Sequence, residues 1–247
     1  MWYLSFLYLV GLVRRNNSVA DVGWAPGFVL VVLAALWMVH PYGLRPVIVA
    51  TLVTIWGLRL GLHIFMRNWA RGEDWRYARW RRYWQSWWPL VSYVLLFVLP
   101  GAAILVITAP VLWVIAYGGP VALNGGDMLG IALWVGGFVM EAAADAQLVR
   151  FLKRPINKGR ILRTGLWRYS RHPNYFGELL QWWGLWLVAL SVPGAFNTIA
   201  GPVLLTILIL WVSGVPTVEH RWASSPTYKL YAKRTNALVP MAPRASK

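Results

Sequence analysis

The sequence predicts an all-α polytopic membrane protein, a helix bundle with about seven transmembrane helices, and three observations lead to this prediction. Of the 247 residues, 58% are hydrophobic and the mean hydropathy is +0.51, whereas soluble domains are about 45–50% apolar. Several apolar runs are about 20 residues long, the length an α-helix needs to cross a bilayer. The basic residues fall in clusters at the ends of these runs. We therefore predict a single integral-membrane domain over residues 1–247.

Seven apolar segments account for the predicted crossings. The first is short and lacks the basic region and cleavage site of a signal peptide. The fourth contains Pro100-Gly101 and is too long for one straight span, so a kinked or strongly tilted crossing is predicted. The sixth is predicted to start just after Pro173. The segments are residues 1–13, 20–39, 47–66, 86–117, 127–149, 174–192 and 197–213.

The distribution of charge predicts the orientation in the membrane. The net charge is +16, and 22 of the 24 Lys and Arg residues lie in four clusters, at residues 14–15, 67–82, 150–171 and 221–247. Only Arg45 lies in the remaining loops, at residues 40–46, 118–127 and 191–197. Because cytoplasmic loops are rich in Lys and Arg, the clusters are predicted to be cytoplasmic, with the N-terminus outside and the C-terminus inside. The positive charge thus indicates topology in a lipid bilayer and not nucleic-acid binding.

A polar, basic and aromatic stretch, residues 165–178, leads directly into the sixth span. Pro173 lacks a backbone N–H and disfavours helical geometry at the residue before it, so a helix is predicted to start there. The free N–H groups of that helix start would lie beside Arg168, Arg171 and His172, which together suit a phosphate group.

Three polar residues continue from this stretch at helical spacing. Asn174, Glu178 and Gln181 would place an amide and a carboxylate on one helix face near the membrane surface. A carboxylate at that depth needs a partner or a function. The alternative interpretation is a basic juxtamembrane loop with an acid whose charge is already neutralised.

The early spans carry a second set of polar candidates. Asp21 is the only acid on the first three spans; it is either a helix N-terminal acid stabilised by the dipole or a carboxyl facing into the bundle. Arg59, His63 and Arg67 recur at four-residue spacing on one face of the third span. Such a stripe favours a wet or ligand-filled interior, unless Arg59 only extends to the membrane surface.

Other common kinds of site are not predicted. The chain has no cysteine, which excludes disulfides, thiolate nucleophiles and thiolate metal sites. Its four histidines lie on separate segments, so no metal site is expected. No glycine-rich Rossmann or Walker motif and no HExxH or GxSxG motif occurs.

A recognisable set of motifs extends over most of the chain. It consists of Asn17-Ser18, Asp21, Trp24, Trp56-Gly57-Leu58-Arg59-Leu60, Glu73-Asp74-Trp75-Arg76-Tyr77, Asp145, Arg160, residues 165–178, Arg234-Thr235 and Pro240. In this combination the chain resembles the membrane steroid 5α-reductase-like superfamily, in its bacterial branch of DUF1295 proteins. The resemblance implies a multi-pass protein of the bacterial inner membrane that acts on a hydrophobic small molecule.

The resemblance also implies a cofactor and a reaction. Steroid 5α-reductases bind NADPH at the cytoplasmic ends of their later helices and reduce the double bond of an enone, which here would be steroid-like or isoprenoid-like. The corresponding cofactor mouth would be formed by residues 141–181 and 216–240. The residues implied to bind NADPH are Asp145, Arg160, Arg171, His172, Asn174, Tyr175, Glu178, His220, Tyr231 and Arg234.

The catalytic residues correspond less closely to those of the reductases. The reductases use a glutamate on an early helix and a tyrosine on the next to donate to the substrate carbonyl. Asp21 would take the place of the glutamate, but His63-Ile64 stands where the reductases have His-Tyr. The proton donor would then come from His63, Arg59 or Tyr77, and we predict Asp21, His63 and Tyr77 as the catalytic set.

A methyltransferase is the alternative function. Isoprenylcysteine carboxyl methyltransferases carry an Arg-His-Pro-x-Tyr-x-Gly segment similar to residues 171–177 and bind S-adenosylmethionine there. They also have paired glutamates early in the tail, whereas here Glu219 is followed by His220. Asn174 with Glu178 fits the reductase form better. The reductase is therefore favoured over the methyltransferase, and both over a non-catalytic scaffold.

Overall fold

A computed structural model describes residues 2–68 and 72–244, which fold into α-helices, short 3₁₀ and π-helical turns and loops, without a β-strand. An isolated parallel bridge joins Ser170 and Asn236. The all-α prediction is confirmed. The α-helices are α1 (Trp2–Val13), α2 (Val19–Val39), α3 (Leu44–Asn68), α4 (Trp75–Trp84), α5 (Trp88–Tyr93), α6 (Leu99–Tyr117), α7 (Gly125–Leu152), α8 (Pro173–Ala189), α9 (Ala200–Ile207), α10 (Val215–Trp222) and α11 (Pro226–Arg234).

Five helical segments are long and apolar enough to cross a membrane, so the chain is an integral, multi-pass membrane protein. They correspond to the second, third, fourth, fifth and seventh predicted crossings. The other two predicted crossings are helices of 12 residues (α1) and 17 residues (α8). The total of seven crossings stays a prediction. The five segments are Val19–Val39, Leu44–Asn68, Trp75–Tyr117, Gly125–Leu152 and Ala195–Trp222.

The fourth crossing departs from regular helix one turn before its proline. Pro100 has no N–H to donate to the carbonyl of Leu96, and its ring crowds that carbonyl. The turn Val94–Val98 is accordingly π-helical, and α6 resumes at Leu99. The α-helix is thus interrupted before Pro100, whereas the predicted kink or tilt of the crossing stays a prediction.

Arg45, the only basic residue in the loops predicted to lie outside, is buried inside the protein. Only 1% of its surface is exposed. Its guanidinium donates hydrogen bonds to the carbonyl oxygens of Gly118, at 3.3 Å, and Ala122, at 3.1 Å. Arg45 therefore closes the loop after α6 and adds no charge to the surface of these loops.

The predicted orientation can be tested in this cysteine-free chain. Ala122→Cys and Leu230→Cys are expected to react with a membrane-impermeant thiol reagent from opposite sides, because position 122 lies in a nearly uncharged loop and position 230 in a basic segment. Labelling is measured on sealed vesicles of known orientation, and the unsubstituted chain is the control. Labelling of both cysteines from the same side would contradict the predicted orientation.

Two compact units make up the chain. The first comprises Met1–Leu123 with Val192–Ala200, and the second Asn124–Ser191 with Gly201–Lys247. In the first unit α2 packs against α3 and α6; in the second α7 packs along α8. The predicted catalytic residues are all in the first unit and the predicted cofactor residues all in the second. Treating residues 1–247 as one functional domain stays a prediction.

Two pairs of glycines allow α7 and α8 to approach very closely. A Cβ atom built on Gly137 would lie 2.5 Å from the carbonyl oxygen of Gly177, and one built on Gly130 would lie 2.5 Å from that of Gly184. The contacts follow opposite chain directions, so the helices are antiparallel. Small residues permit such close packing in membranes, where the hydrophobic effect does not drive helices together. This packing places polar side chains of the two helices within hydrogen-bond distance.

Candidate active and cofactor-binding sites

In the first unit, Asp21 lies at the centre of a polar cluster in the first turn of α2. The phenol of Tyr77 donates a hydrogen bond of 2.5 Å to Asp21 Oδ1, and Nη2 of Arg76 lies 3.3 Å from Oδ2. Only 5% of Tyr77 is exposed. Two of the three predicted catalytic residues are therefore in direct contact, and the third, His63, is half-buried on α3.

Local hydrogen bonds explain why α4 presents Tyr77 to Asp21. Asp74 caps α4 by accepting from the backbone N–H of Arg76 at 2.9 Å, and its own N–H donates to Ser18 Oγ at 2.9 Å. The backbone N–H of Asn17 donates to Glu73 Oε1 at 2.9 Å. The Asn17-Ser18 and Glu73-Asp74 motifs, distant in sequence, thus hold the starts of α2 and α4 together.

This cluster has the chemistry of a hydrogen-bond or proton donor. A phenol held by a carboxylate has a fixed orientation, and the neighbouring guanidinium of Arg76 balances the charge of Asp21. In the alternative interpretation, Asp21 only caps α2 and pairs with Arg14 or Arg15. The structure instead pairs Asp21 with Arg76 and Tyr77.

In the second unit, two polar pairs span the α7–α8 contact. Asn174 Nδ2 donates to Asp145 Oδ1 at 3.2 Å, and Gln181 Nε2 donates to Glu141 Oε2 at 2.7 Å. Glu141, Asp145 and Gln181 are buried, with 2%, 6% and 1% of their surfaces exposed. The structure thus brings together two of the predicted cofactor residues, Asp145 and Asn174, and Glu178 lies half-buried on the next turn of α8.

These two pairs contain more hydrogen-bond acceptor atoms than donor groups. The buried side-chain oxygens of Asn174 and Gln181 accept no hydrogen bond from any described residue. Together with the carboxylates of Glu141 and Asp145, they form a set that suits a ligand with several donors, since buried polar atoms are normally hydrogen-bonded. Ribose hydroxyls and a carboxamide NH₂ are donors of this kind.

Arg171 is occupied by contacts within the protein. Its Nε and Nη2 donate to Glu219 Oε1 at 2.9 and 2.6 Å, and its Nη1 donates to the carbonyl oxygens of Ala232 and Thr235 at 3.1 and 2.6 Å. The predicted phosphate contact of Arg171 stays a prediction. These four bonds make Arg171 a link between residues 165–178 and the C-terminal segment, by which we mean residues 215–244.

His172 is likewise held in place by neighbouring side chains. It is the N-cap residue of α8, which begins at Pro173, one residue before the predicted start. Its Nε2 lies 3.4 Å from Glu219 Oε1, and its ring stacks on Tyr175 with the centroids 5.3 Å apart. Only 2% of His172 is exposed. His172 and Arg171 therefore share the carboxylate of Glu219.

The C-terminal segment is hydrogen-bonded along residues 165–178. Tyr231 donates its phenol hydrogen to the carbonyl oxygens of Trp167 and Ser170, and Ser170 Oγ donates to Leu238 O at 2.6 Å. Burial raises the pKa of the Tyr231 phenol, with a smaller effect from Tyr228. Tyr231 therefore stays protonated at neutral pH and acts as a donor that positions the stretch.

Three predicted cofactor residues remain exposed. Within the described chain, the side chains of Arg160, His220 and Arg234 form no hydrogen bond or ion pair. Since phosphate oxygens attract exposed guanidinium groups, Arg160 and Arg234 are more available to a pyrophosphate than Arg171.

The sequence interpretation did not select Arg76 or Glu219 as site residues. Arg76 precedes Tyr77 directly in the Glu73–Tyr77 motif, and this adjacency is a signal in the sequence that could have identified it. Glu219 has no comparable signal in the sequence, because its partners Arg171 and His172 are more than forty residues away. Among residues 2–68 and 72–244, no three His, Asp or Glu side chains are grouped to hold a metal ion.

The contacts of Arg171 predict that its removal destabilises the second unit. Arg171→Ala is expected to lower the free energy of unfolding by about 2–3 kcal/mol, because it breaks charge-assisted hydrogen bonds and leaves Glu219 with fewer donors. Unfolding is measured by titrating the detergent-purified protein with denaturant. Arg168→Ala removes an exposed arginine nearby and serves as the control. Equal stability of the two variants would contradict the linking role of Arg171.

Comparison with known proteins identifies the family. The model of the family described as "Protein of unknown function (DUF1295)" matches residues 7–235. An uncharacterized protein of Schizosaccharomyces pombe is 26% identical over 96% of this chain and 76% of its own length. The 3-oxo-5-alpha-steroid 4-dehydrogenase 1 proteins of Macaca fascicularis and Homo sapiens are 31% and 29% identical over 46% of this chain. These matches cover only 40% of each reductase. The chain belongs to the DUF1295 family, within the steroid 5α-reductase-like superfamily.

Proposed function

We propose that the protein is a membrane-embedded, NADPH-dependent reductase of the C=C bond in a lipid-like enone, of steroid or isoprenoid type. The similarity to proteins named as 3-oxo-5-alpha-steroid 4-dehydrogenases supports an oxidoreductase. The observation that carries the proposal is the hydrogen bond between the buried Tyr77 and the half-buried Asp21. Tyr77 is a buried phenol in a unit that otherwise consists mainly of apolar helices, which supports a role in donating to a substrate oxygen.

The second unit is proposed to bind the cofactor. NADPH, when bound, supplies a hydride to the β-carbon of the enone. Asp145 and Asn174, with the further acceptors of Glu141 and Gln181, suit the hydroxyl and amide donors of its nicotinamide-ribose end. The exposed guanidinium groups described above suit its phosphates.

The first unit is proposed to stabilise the substrate oxygen. As hydride reaches the β-carbon, negative charge develops on the carbonyl oxygen, and a fixed donor lowers the free energy of that state. Tyr77 is proposed as this donor and would take the role of the tyrosine that the sequence lacks beside His63. Because a phenol has one O–H, Asp21 would be protonated and donate to the phenol oxygen, which leaves the Tyr77 O–H for the substrate oxygen. The enolate then needs a proton at its α-carbon to complete the reduction, and His63 remains a candidate for relaying that proton from solvent.

Binding measurements test the proposed cofactor. We expect detergent-purified protein to bind NADPH and to oxidise it when an enone steroid is added, while S-adenosylmethionine does not bind. Isothermal titrations with NADPH, NADH and S-adenosylmethionine are compared, and loss of NADPH fluorescence reports turnover. Binding of S-adenosylmethionine without binding of NADPH would favour the methyltransferase instead. Binding of neither would overturn both functions.

A further inference from the structure

An open basic cleft lies at the end of α7 in the second unit. It has a volume of about 340 Å³ and is lined by residues that include Gln147, Arg150, Phe151, Arg154, Leu162 and Thr164. The α7 residues of this cleft lie on the side of the helix away from Asp145, as helical periodicity requires. The cleft is therefore separate from the polar pairs that span the α7–α8 contact.

The charge in this cleft is not balanced by the protein. Arg150 and Arg154 are both exposed, and neither side chain forms a hydrogen bond or ion pair with any residue that the structure describes. Among the described residues that line the cleft, none is an acid. By contrast, Arg76, Arg81 and Arg171 each pair with a carboxylate. Arg150 lies in the last turn of α7 and Arg154 just beyond the end of that helix, and both line the same cleft. Because their like charges repel each other, an anion between them would be favourable.

The polar lining suits a phosphate group in particular. Forked guanidinium groups match phosphate oxygens geometrically. The Thr164 hydroxyl and the Gln147 amide N–H₂ are further donors, since Gln147 Oε1 already accepts from the backbone N–H of Leu166 at 3.0 Å. The cleft thus offers four donor groups to one anion.

The surroundings favour a lipid over a soluble anion. The candidate membrane span Gly125–Leu152 ends at the cleft, which is the level at which phospholipid phosphates lie. Leu152 and Ile156, 58% and 71% exposed, present apolar surface close by in the chain, and Phe151 and Leu162 form an apolar part of the lining. A basic cleft with adjacent exposed apolar side chains matches a phosphate that carries acyl chains.

We infer that the cleft at Arg150 and Arg154 binds the phosphate of an anionic phospholipid, as a specific lipid site of this membrane protein. The cleft residues fall within the range 141–181, but none of them is among the individual residues predicted to bind NADPH. The site also uses neither Asp21 nor Tyr77, so it can be tested separately from the proposed reductase activity.

Native mass spectrometry of the full chain in detergent tests this inference, with phosphatidylglycerol and phosphatidylcholine as probes. Wild-type protein is expected to retain phosphatidylglycerol, and the R150Q/R154Q variant to need at least about tenfold more of it, since each lost charge-assisted hydrogen bond weakens binding about that much. R150K/R154K keeps both positive charges but loses the planar, forked arrangement of guanidinium donors, so it is expected to bind phosphatidylglycerol more weakly than wild type.

The control variant K229Q/K233Q removes two exposed charges from α11 and is expected to bind like wild type. Equal binding by wild type and R150Q/R154Q would overturn the site. A titration with 2′,5′-ADP separates the two sources of phosphate. If this nucleotide binds in an Arg150- and Arg154-dependent manner while phosphatidylglycerol does not, the cleft takes a soluble phosphate and the lipid assignment is overturned.

Discussion

Replacement of Asp21 by asparagine is expected to lower product formation at least about 10²-fold while NADPH binding stays near normal. Asparagine keeps an oxygen that accepts from Tyr77 but cannot take up the carboxyl proton, so the single O–H of Tyr77 stays on the amide oxygen. The fixed donor for the substrate oxygen would then be poorly oriented. Cofactor affinity is expected to persist because the proposed cofactor residues all belong to the second unit.

Tyr77→Phe tests the same cluster and has a matched control on the same helix. The variant removes only the phenol oxygen, so the packing of the ring against Trp88 and Phe97 is retained. Tyr83→Phe makes the identical change at a side chain that is 77% exposed. We expect turnover to fall by a similar factor in Tyr77→Phe and to be unchanged in Tyr83→Phe. Near-normal turnover by Asp21→Asn and Tyr77→Phe, on a substrate that the wild type reduces, would leave the cluster a structural role only.

Gly137→Val is expected to lower the free energy of unfolding by about 3 kcal/mol, the upper end of what overpacking usually costs. Even its first added carbon would lie 2.5 Å from the carbonyl oxygen of Gly177 and 2.9 Å from Leu180 Cβ. Backbone atoms cannot move aside as a flexible side chain can, so α7 and α8 must separate. The Asp145–Asn174 hydrogen bond would be lost with that separation, and NADPH binding is expected to fall as well.

The neighbouring glycine supplies the control for this prediction. A Cβ atom on Gly136 meets nothing within 4 Å, and Gly136 is exposed on α7. Gly136→Val is therefore expected to leave stability and NADPH binding nearly unchanged. Unfolding in a denaturing detergent, followed by tryptophan fluorescence, compares the two variants. If Gly137→Val were as stable as Gly136→Val, the close approach of α7 and α8 would be contradicted.

The helices could be predicted because their signals are local. An apolar run of sufficient length and a proline at the first turn of α8 act over a few residues, and both predictions are confirmed. The glycines at positions 130, 137, 177 and 184 repeat at a seven-residue spacing, a signal for close helix packing that the sequence interpretation did not use. That packing, and not the polar residues themselves, brings Asp145 to Asn174.

The candidate sites could be predicted only in part. Asp21 and Tyr77 were each selected from the sequence, but their 2.5 Å hydrogen bond depends on how α4 is capped by Asp74. Arg171 was selected for its charge and position. Its partner Glu219 could not be predicted, because a basic residue near a helix start suits a phosphate and a carboxylate equally well.

By itself the sequence determined that this is a helical membrane protein of the DUF1295 family, because hydropathy and motif residues are properties of the chain that no contact can change. Only the tertiary structure decided which polar groups are already satisfied within the protein and which are left for a ligand. It assigned the guanidinium of Arg171 to Glu219 and the C-terminal segment, and left Arg150 and Arg154 in an open cleft. The physical reason is that the interaction between two charges depends on their distance in space, and the number of residues between them in the chain does not determine that distance.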